Sequence, residues 1–286
     1  MKFHRIIIVG VGQIGASIGL NLSGHPVANQ VIGVDTDKKN LLRALKQKSV
    51  DETFRVKRAI DILKLNLSER DLVILAAPVL TIRKYLELLP QGPLVMDVGS
   101  TKGNAIRIAG RRQLRFIGAH PMAGTEKEGA GAADKKLFRD RLCLLTPLAG
   151  TRGSDREVIA EIWKRMGSRM ALIDSRSHDS LLAPISHLPH LLAYTLIGTI
   201  GRKISLNRIK KFSGGGLRDT TRIAASSAAM WADIFLDNSG PVLDALDFFL
   251  SNLKKARSLI QKKNGGSLKA WLKKTSRLRR ELGCQN

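Results

Sequence analysis

The chain has 286 residues, 43% of them apolar, which is enough to bury one large hydrophobic core or two smaller ones and excludes a disordered protein. Its apolar stretches, such as residues 6–11 and 72–79, are far shorter than the roughly 20 residues of a membrane-spanning helix, so no membrane span is expected. The formal net charge of +24 favours polyanions in general and does not choose among nucleic acids, anionic membranes and small anions.

Two features indicate a cytoplasmic protein. The first residues pass directly into a glycine-rich turn, at the place where a signal peptide would continue its apolar region. Cys143 and Cys284 are the only cysteines, so neither a disulfide framework nor a cysteine-based zinc cluster is expected. We therefore expect the mature sequence of a protein from a reducing compartment.

Residues 1–175 alternate short β-branched apolar runs with amphipathic stretches of helix length, which is the pattern of parallel βαβ units. This pattern predicts an α/β domain with a doubly wound parallel sheet, in which ligands bind beyond the carboxyl ends of the strands. The expected strands are residues 5–9, 30–34, 72–76, 94–98, 115–119, 141–146 and 169–173, and the expected helices are residues 11–22, 38–47, 80–88, 102–109 and 155–166.

Residues 176–286 show no strand pattern and predict a second, all-helical domain. From Pro241 onward the apolar residues recur at close to a helical period, with Ser239 and Pro241 as start signals. The pair Gly265-Gly266 is expected to be a flexible link. Because the helices are apolar on more than one side, we expect the domain to complete its burial in a homodimer.

A glycine-rich turn, GVGQIG, separates the first expected strand from the first expected helix. In this context Gly10 makes the tight turn, Gly12 lets a pyrophosphate approach the backbone, and Gly15 allows close packing, while the helix N-terminus faces the phosphates. The turn predicts a Rossmann-type dinucleotide-binding domain over residues 1–175; packing of strand against helix is the alternative reason for the glycines. The residues assigned to the cofactor here are Gly10, Gly12, Gln13, Ile14 and Gly15.

The end of the second expected strand carries the next cofactor signal. Asp35 lies 20 residues beyond Gly15, where a carboxylate can accept hydrogen bonds from both adenosine ribose hydroxyls and repel a 2′-phosphate. We therefore expect NAD in preference to NADP; capping of the next helix is the alternative role of Asp35. Ala77 and Pro78 follow the strand at 72–76 and are expected to lie against the cofactor.

Polar groups follow two further expected strands. DVGSTK ends one and GAHPMAG ends the next, so both are expected to open toward the nicotinamide. His120 is the candidate general base, because an ordinary histidine pKa of about 6.5 leaves the imidazole mostly neutral in the cytoplasm. Ser100 can hydrogen-bond to the histidine or to a substrate hydroxyl. The alternative, structural interpretation of His120 is a turn residue, and that of Ser100 is a helix cap.

Four of the six histidines belong to the strand end and two clusters in the helical half, Ser177-His178-Asp179 and SHLPH. His187 and His190 are three residues apart and would share a helix face. They could form half of a zinc site, but no further ligand spacing completes one, so no metal is expected. His187 is the better candidate for a structural role, and His178-Asp179 is either a helix start or part of the site.

Together these motifs resemble the prephenate/arogenate (cyclohexadienyl) dehydrogenase family. The resemblance rests on DVGSTK, GAHPMAGTEKEG, SHLPHLLA, GGGLRDTTRIA and Trp231, and it extends in family order from the glycine turn to about Leu253. It implies an NAD-dependent enzyme of tyrosine biosynthesis that oxidatively decarboxylates a cyclohexadiene bearing a ring carboxylate and a 4-hydroxyl.

The resemblance also implies roles for individual residues. His120 would bind and deprotonate the 4-hydroxyl, with Ser100 assisting, and Arg222 would hold a substrate carboxylate. The further substrate-binding residues that it implies are His190, His187, Glu126, Asp219, Gly214 and Trp231.

Two other functions stay open at the level of sequence. A β-hydroxyacid-type NAD(P) dehydrogenase shares the two-domain plan, although such enzymes usually rely on a lysine in the helical half. A dinucleotide-sensing or nucleic-acid-binding protein would use the basic C-terminal region, where residues 254–280 carry 11 Lys or Arg. Because Trp271 is the only aromatic residue there, a solvated basic face is favoured over a nucleic-acid surface.

Overall fold

The expected alternation of apolar strands and amphipathic helices is present in the structure, a computed structural model that describes residues 2–125 and 127–283. Eight strands form one sheet, and five helices connect or follow them. The strands are β1 (Phe3–Val9), β2 (Ala28–Asp35), β3 (Glu52–Arg55), β4 (Asp71–Leu75), β5 (Leu94–Asp97), β6 (Arg115–Pro121), β7 (Leu142–Pro147) and β8 (Arg169–Leu172). The helices are α1 (Gln13–Leu22), α2 (Lys38–Lys46), α3 (Val79–Leu88), α4 (Gly103–Arg111) and α5 (Gly153–Arg165).

The sheet has the order β3-β2-β1-β4-β5-β6-β7-β8, which confirms the doubly wound plan. The central strands have continuous apolar sequences because both faces of the sheet are buried, as β1 illustrates. Ile6 and Ile8 belong to the core on one face of the sheet, whereas Ile7 and Val9 belong to the core on the other. The chain order reverses between β1 and β4, and this reversal opens the crevice in which doubly wound sheets bind ligands.

Two details of the sheet differ from expectation. β3 was not predicted, because it has only four residues, lies at the sheet edge and is mostly polar. β7 runs antiparallel to β6, so the sheet is mostly, not entirely, parallel. A parallel partner needs a crossover connection, but the described residues of 122–125 and 127–141 contain only the short 3-10 turn Ala130–Ala132 before the chain returns beside β6. After α5, β8 pairs parallel to β7.

The remaining chain is helical, as expected. A π-helical turn, Ala183–His187, joins the first two of these helices, and a 3-10 turn, Arg222–Ala225, precedes the fifth. The helices are α6 (Ser175–Leu182), α7 (Leu188–Lys203), α8 (Leu206–Phe212), α9 (Gly215–Thr221), α10 (Ala228–Asp237), α11 (Ser239–Gln261) and α12 (Gly265–Gly283).

The helical segments fall into two compact units of the chain. Residues 1–239 form one unit, so the helices from α6 to α10 pack with the sheet, and residues 240–286 form the other. The domain boundary expected at residue 175 stays a prediction. The start signals at Ser239 and Pro241 are confirmed by α11, but the flexible link expected at Gly265-Gly266 is wrong, because this pair begins α12.

Asp237, at the end of α10, anchors the helical segments to the sheet. Its carboxylate accepts hydrogen bonds from Arg83 Nη1 at 3.0 Å, Thr101 Oγ1 at 2.5 Å and Asn104 Nδ2 at 3.1 Å. These donors come from α3, from the loop after β5 and from α4. The contacts place α10 beside the carboxyl ends of the central strands, where the site is expected.

One helical stretch, residues 175–203, is long and apolar enough to cross a membrane by length and composition, with a mean hydropathy of 1.3 in its most apolar window. The signal is weak, because the core helix of a soluble protein passes the same test. The same stretch contains the π-helical turn and the buried side chains of His178, Asp179 and His187. Polar side chains buried within the fold are better explained by packing against the sheet domain than by lipid.

Candidate active site

A cavity of about 400 Å³ opens at the carboxyl ends of β1, β4 and β5. The glycine turn and the loops after β4 and β5 line it. Ser226, Ser227 and Met230 reach the cavity from the beginning of α10, a contribution for which the sequence carried no signal. The expected site residues on its walls are Gly12, Gln13, Ile14, Ala77, Pro78 and Ser100.

The three glycines of the turn differ in what an added side chain would meet. Gly10 has a φ of +90°, and a Cβ there would lie 2.5 Å from the carbonyl oxygen of Ala76. A Cβ on Gly15 would lie 1.9 Å from the oxygen of Gly10, so both positions require glycine for packing. Gly12 differs, since a Cβ there meets no atom within 4 Å. Gly12 caps α1 and faces the cavity, so the free backbone N–H groups of this helix end fit a pyrophosphate.

Asp35 is held at the rim of the same turn. Its Oδ2 accepts a hydrogen bond from the backbone N–H of Val11 at 3.0 Å, and its Oδ1 accepts one from Asp37 at 2.9 Å. The helix-cap alternative for Asp35 is wrong, because the cap of α2 is Asp37, whose side chain accepts from the N–H of Lys39 at 2.8 Å. The Asp35 carboxylate is therefore positioned beside the glycine turn, as a ribose acceptor requires.

Gln13 connects the glycine turn to the loop that follows β6. Its Nε2 donates to Thr125 Oγ1 at 2.6 Å, and its Oε1 accepts from the backbone N–H of Thr125 at 3.0 Å. This pair of bonds brings the loop over the cavity. Glu126, the next residue, was expected to contact the substrate and lies outside the described residues.

His120 lies near the end of β6 and takes part in a chain of three hydrogen-bonded side chains. Its Nδ1 is 2.9 Å from Nε2 of His178, and Nδ1 of His178 is 2.8 Å from Oδ1 of Asp179. His178 and Asp179 lie in α6, which already begins at Ser175 behind the cap residue Asp174, so their interpretation as a helix start is wrong. Both side chains belong to the hydrogen-bonded chain behind His120.

Asp179 is fixed from several directions. Its two carboxylate oxygens accept hydrogen bonds from the backbone N–H groups of Lys102 at 2.8 Å and Gly103 at 2.7 Å, at the N-terminal end of α4. Asn238 Nδ2 donates to the Asp179 carbonyl oxygen at 2.9 Å. Burial raises the pKa of the Asp179 carboxyl, but the bonds from His178 and from the two N–H groups outweigh burial and lower it overall. The carboxylate is therefore ionised.

A buried ion pair underlies His120. Lys102 Nζ bonds to Asp97, and neither side chain is accessible to solvent beyond 1%. The Lys102 stem passes over Gly118, where a Cβ would approach its Cδ to 2.9 Å. Burial lowers the pKa of His120 well below its ordinary value, and the neighbouring His178 and Lys102 lower it further. The environment thus keeps the His120 imidazole neutral, as a general base requires.

His187, His190 and Trp231 form a second cluster. The rings of His190 and Trp231 are stacked, with centroids 3.6 Å apart, and His187 meets the indole edge-on at 6.1 Å. His190 Nδ1 donates to the Ser186 carbonyl oxygen at 2.9 Å, which leaves Nε2 as an acceptor. His187 accepts from Asn238 through Nδ1 at 3.1 Å, and its buried Nε2 has no partner in the described part of the chain.

Arg222 is exposed in the 3-10 turn before α10, and its charge contributes to lowering the pKa of His190, after burial. Within residues 2–125 and 127–283, no carboxylate forms an ion pair with Arg222, and this includes the nearby Asp219. Asp219 and Gly214 are exposed at α9 and do not line the cavity. The same described residues contain no group of three or more His, Cys, Asp or Glu arranged to hold a metal ion.

The chain matches two family models along most of its length. Residues 18–172 match the nucleotide-binding domain of prephenate dehydrogenase, and residues 174–274 match the dimerization domain of prephenate dehydrogenase. The cyclohexadienyl dehydrogenase of Zymomonas mobilis is 33% identical over 290 residues, covering 98% of this chain and 96% of the relative.

Solved structures agree with these matches. Prephenate dehydrogenase from Aquifex aeolicus, in complex with hydroxyphenyl propionate and NAD+, superimposes with a TM-score of 0.86 at 29% identity, over 99% of both chains. Synechocystis arogenate dehydrogenase superimposes with a TM-score of 0.75 at 26% identity, over 97% of this chain and 99% of that one. The chain belongs to the prephenate dehydrogenase family.

Proposed function

We propose that the protein oxidatively decarboxylates prephenate, arogenate or both, with NAD+ as the hydride acceptor. The observation that carries the proposal is His120, whose pKa burial lowers, near the end of β6, the strand next to β5, whose following loop lines the cavity. The family relationship supports the reaction, and it removes the reason for the β-hydroxyacid and nucleic-acid alternatives. The choice between the two substrates depends on a keto or an amino group of the side chain.

Bound NAD+ would supply the hydride acceptor. For the chain's own part, the N–H groups behind Gly12 would bind the pyrophosphate, and Asp35 would accept bonds from the ribose hydroxyls. A carboxylate at this position repels a 2′-phosphate, which supports NAD over NADP. Ala77 and Pro78, which also line the cavity, would contact the cofactor from the loop after β4.

His120 would accept the proton of the substrate 4-hydroxyl at its Nε2. As the hydroxyl carbon becomes a carbonyl carbon and loses hydride, the bond to the ring carboxylate breaks, CO2 leaves and its electron pair completes the aromatic ring. The proton then returns to the ring oxygen of the phenolic product, so the reaction consumes and releases no net proton. Ser100 lines the cavity and would hydrogen-bond to the same substrate oxygen.

The remaining substrate contacts come from the helical segments. Arg222 would hold a carboxylate through its planar, bidentate guanidinium, and His190, whose Nε2 is an acceptor, would contact the substrate from its stack on Trp231. Pairing Arg222 tightly with the departing carboxylate would stabilise the ground state, so its role is positioning. We also propose contacts from His187, Glu126, Asp219 and Gly214.

The family model of residues 174–274 supports a homodimer that is formed through the helical segments. Large apolar side chains that are exposed there agree with burial against a second subunit, among them Ile185, Leu206, Phe212 and Phe248. We further propose that the enzyme is cytoplasmic.

The direct test is a spectrophotometric assay of the purified protein with NAD+ and either prephenate or arogenate. We expect NADH together with 4-hydroxyphenylpyruvate or tyrosine, and the ratio of the two kcat/KM values identifies the physiological substrate. Folded protein that turns over neither substrate with NAD+ or NADP+ would show the proposed function to be wrong.

A further inference from the structure

The hydrogen bonds behind His120 lead to an inference that rests on its proposed role as the base. We propose that His178 and Asp179 are positioning residues, which hold His120 in the single tautomer whose Nε2 is free to accept the substrate proton. Neither residue needs to touch substrate or cofactor for this role.

The direction of each hydrogen bond follows from the Asp179 carboxylate. An ionised carboxylate only accepts, so the hydrogen between it and His178 lies on Nδ1 of His178. In a neutral imidazole the other nitrogen is then an acceptor, and Nε2 of His178 faces Nδ1 of His120 at 2.9 Å. His120 must therefore donate through Nδ1, which leaves the lone pair on its Nε2.

The Asp179 carboxylate can determine which ring nitrogen carries the hydrogen because its own orientation is fixed by hydrogen bonds. Both of its oxygens are occupied by backbone N–H groups at the end of α4, while one of them also accepts from His178. The space is also closed on one side, because a Cβ on Gly103 would lie 2.9 Å from Asp179 Oδ2. Backbone donors keep their orientation during turnover. The carboxylate therefore keeps the hydrogen on Nδ1 of His178, and His178 in turn keeps the hydrogen on Nδ1 of His120.

The same arrangement stabilises the charged form of the base. When the substrate O–H bond breaks and the N–H bond forms at His120 Nε2, the ring becomes an imidazolium. Its Nδ1–H bond to His178 is then a charge-assisted hydrogen bond, which is shorter and stronger than a neutral one. The proton stays on His120 until it returns to the product oxygen, so the bond need only hold the charge for part of each turnover.

Other groups near His178 and Asp179 do not select the tautomer of His120. Lys102 and Asp97 form their own ion pair, and Asn238 contacts Asp179 through the backbone carbonyl oxygen. His187 contributes to lowering the pKa of His120 but forms no hydrogen bond with it. Among the described residues, therefore, only His178 accepts a side-chain hydrogen bond from His120.

Asp179→Asn is the sharpest variant, because it keeps the size of the side chain. When its NH2 takes the place of Oδ1, the side chain gives up the bond from the Lys102 N–H and donates to Nδ1 of His178, which reverses both hydrogen bonds and moves the His120 hydrogen onto Nε2. We expect kcat to fall about 10²–10⁴-fold, the range of general-base catalysis, while the Kd for NAD+ and the KM for the substrate change less than threefold. His178→Leu, which removes the acceptor, should lower kcat similarly.

A control and a spectroscopic measurement separate positioning from folding. Asp174→Ala removes the cap of the same helix without touching the pair, so it should lower the melting temperature and leave kcat within twofold. In ¹⁵N-histidine NMR spectra of the NAD+-bound enzyme, His120, assigned with His120→Asn, should carry its hydrogen on Nδ1 in the wild type and on Nε2 in Asp179→Asn.

Two outcomes would overturn the inference: wild-type kcat in both Asp179→Asn and His178→Leu, or an unchanged His120 tautomer in Asp179→Asn. If His178→Leu does not fold, the tautomer of Asp179→Asn decides. Failure of the proposed function is a different result, namely a wild-type enzyme without turnover or a His120→Asn variant with full turnover.

Discussion

The imidazole of His190 is stacked on the indole of Trp231, with the two ring centroids 3.6 Å apart and the planes inclined by 21°. Trp231, in α10, packs in a small core with Val79 and Ile234, so its indole has a fixed position. His190, in α7, stacks on this indole. Because Nδ1 of His190 is used by Ser186, the stack orients the remaining acceptor, Nε2.

Replacing Trp231 by Leu should therefore impair substrate binding more than cofactor binding. An aromatic stack contributes about 0.5–1.5 kcal/mol beyond burial, so we expect the substrate KM to rise roughly 2–10-fold with the Kd for NAD+ unchanged. Phe235→Leu, in the same apolar cluster, is the matched control and should leave KM unchanged. Equal KM values in the two variants would remove the stack from substrate binding.

His120→Asn should fold and bind NAD+ but lose about 10²–10⁴-fold in kcat. His25→Asn, a change in a loop away from the cavity, is the control and should keep wild-type kcat. Steady-state kinetics and NAD+ fluorescence titration check both statements. Turnover by His120→Asn within tenfold of the wild type would show that another group takes the proton.

The pH profile of the wild type follows from the pKa of His120, which burial lowers well below 6.5. A base must be unprotonated to act, so activity is lost only as the pH falls through this lowered pKa. We expect kcat/KM to be flat between pH 7.5 and about pH 6.5 and its acidic limb to lie below that range. An acidic limb centred above pH 6.5 would contradict the assignment of the base.

Asp35→Ser should weaken discrimination between the two nicotinamide cofactors. Removing the charge beside Val11 removes a ribose acceptor and the repulsion of a 2′-phosphate, so the ratio of kcat/KM for NAD+ over NADP+ should fall about tenfold or more. Asp37→Asn keeps a helix cap two residues away and should leave the ratio unchanged. An unchanged ratio in Asp35→Ser would place cofactor selection elsewhere.

Arg222→Ala should raise the substrate KM roughly 10–100-fold, because a hydrogen bond to a charged group contributes about 1.5–3 kcal/mol. The effect on kcat should be smaller, since the guanidinium positions the substrate. Arg218→Ala removes an exposed arginine from the neighbouring helix and controls for net charge. The same KM in both variants would contradict a specific carboxylate grip by Arg222.

Conformational stability should decrease as the pH falls below the ordinary histidine pKa of about 6.5. Burial lowers the pKa of His187 to about 4 and also lowers that of His120, so the unfolded chain binds more protons than the native protein in this window. Stability then falls with falling pH by at most about 1.4 kcal/mol per pH unit for each such histidine, until the folded pKa is reached. Urea unfolding at pH 7.5 and pH 5.5 measures the change; a free energy of unfolding that rises at pH 5.5 would contradict it.

Local features of this fold were predictable from the sequence. The glycine turn was predictable because its strand, turn and helix are contiguous. Gly10 and Gly15 leave room for backbone atoms that lie within a few residues or just beyond the adjacent strand. The placement of His120 and Ser100 at the ends of neighbouring strands was predictable, because parallel strands bring their carboxyl ends to one edge whichever order they take. Their roles stay predictions. β3 was missed, since a short polar edge strand buries too little to leave an apolar pattern.

By itself, then, the sequence determined the sheet, the cofactor turn and the family, because these depend on periodicity and on motifs with short spacing. The tertiary structure alone decided the direction of β7, the reach of α10 into the cavity and the partner of His120. His120 and His178 are 58 residues apart, and Asp179 is oriented by N–H groups of α4. Hydrogen-bond partners at such separations follow from how α6 packs against the sheet domain, which no local pattern encodes.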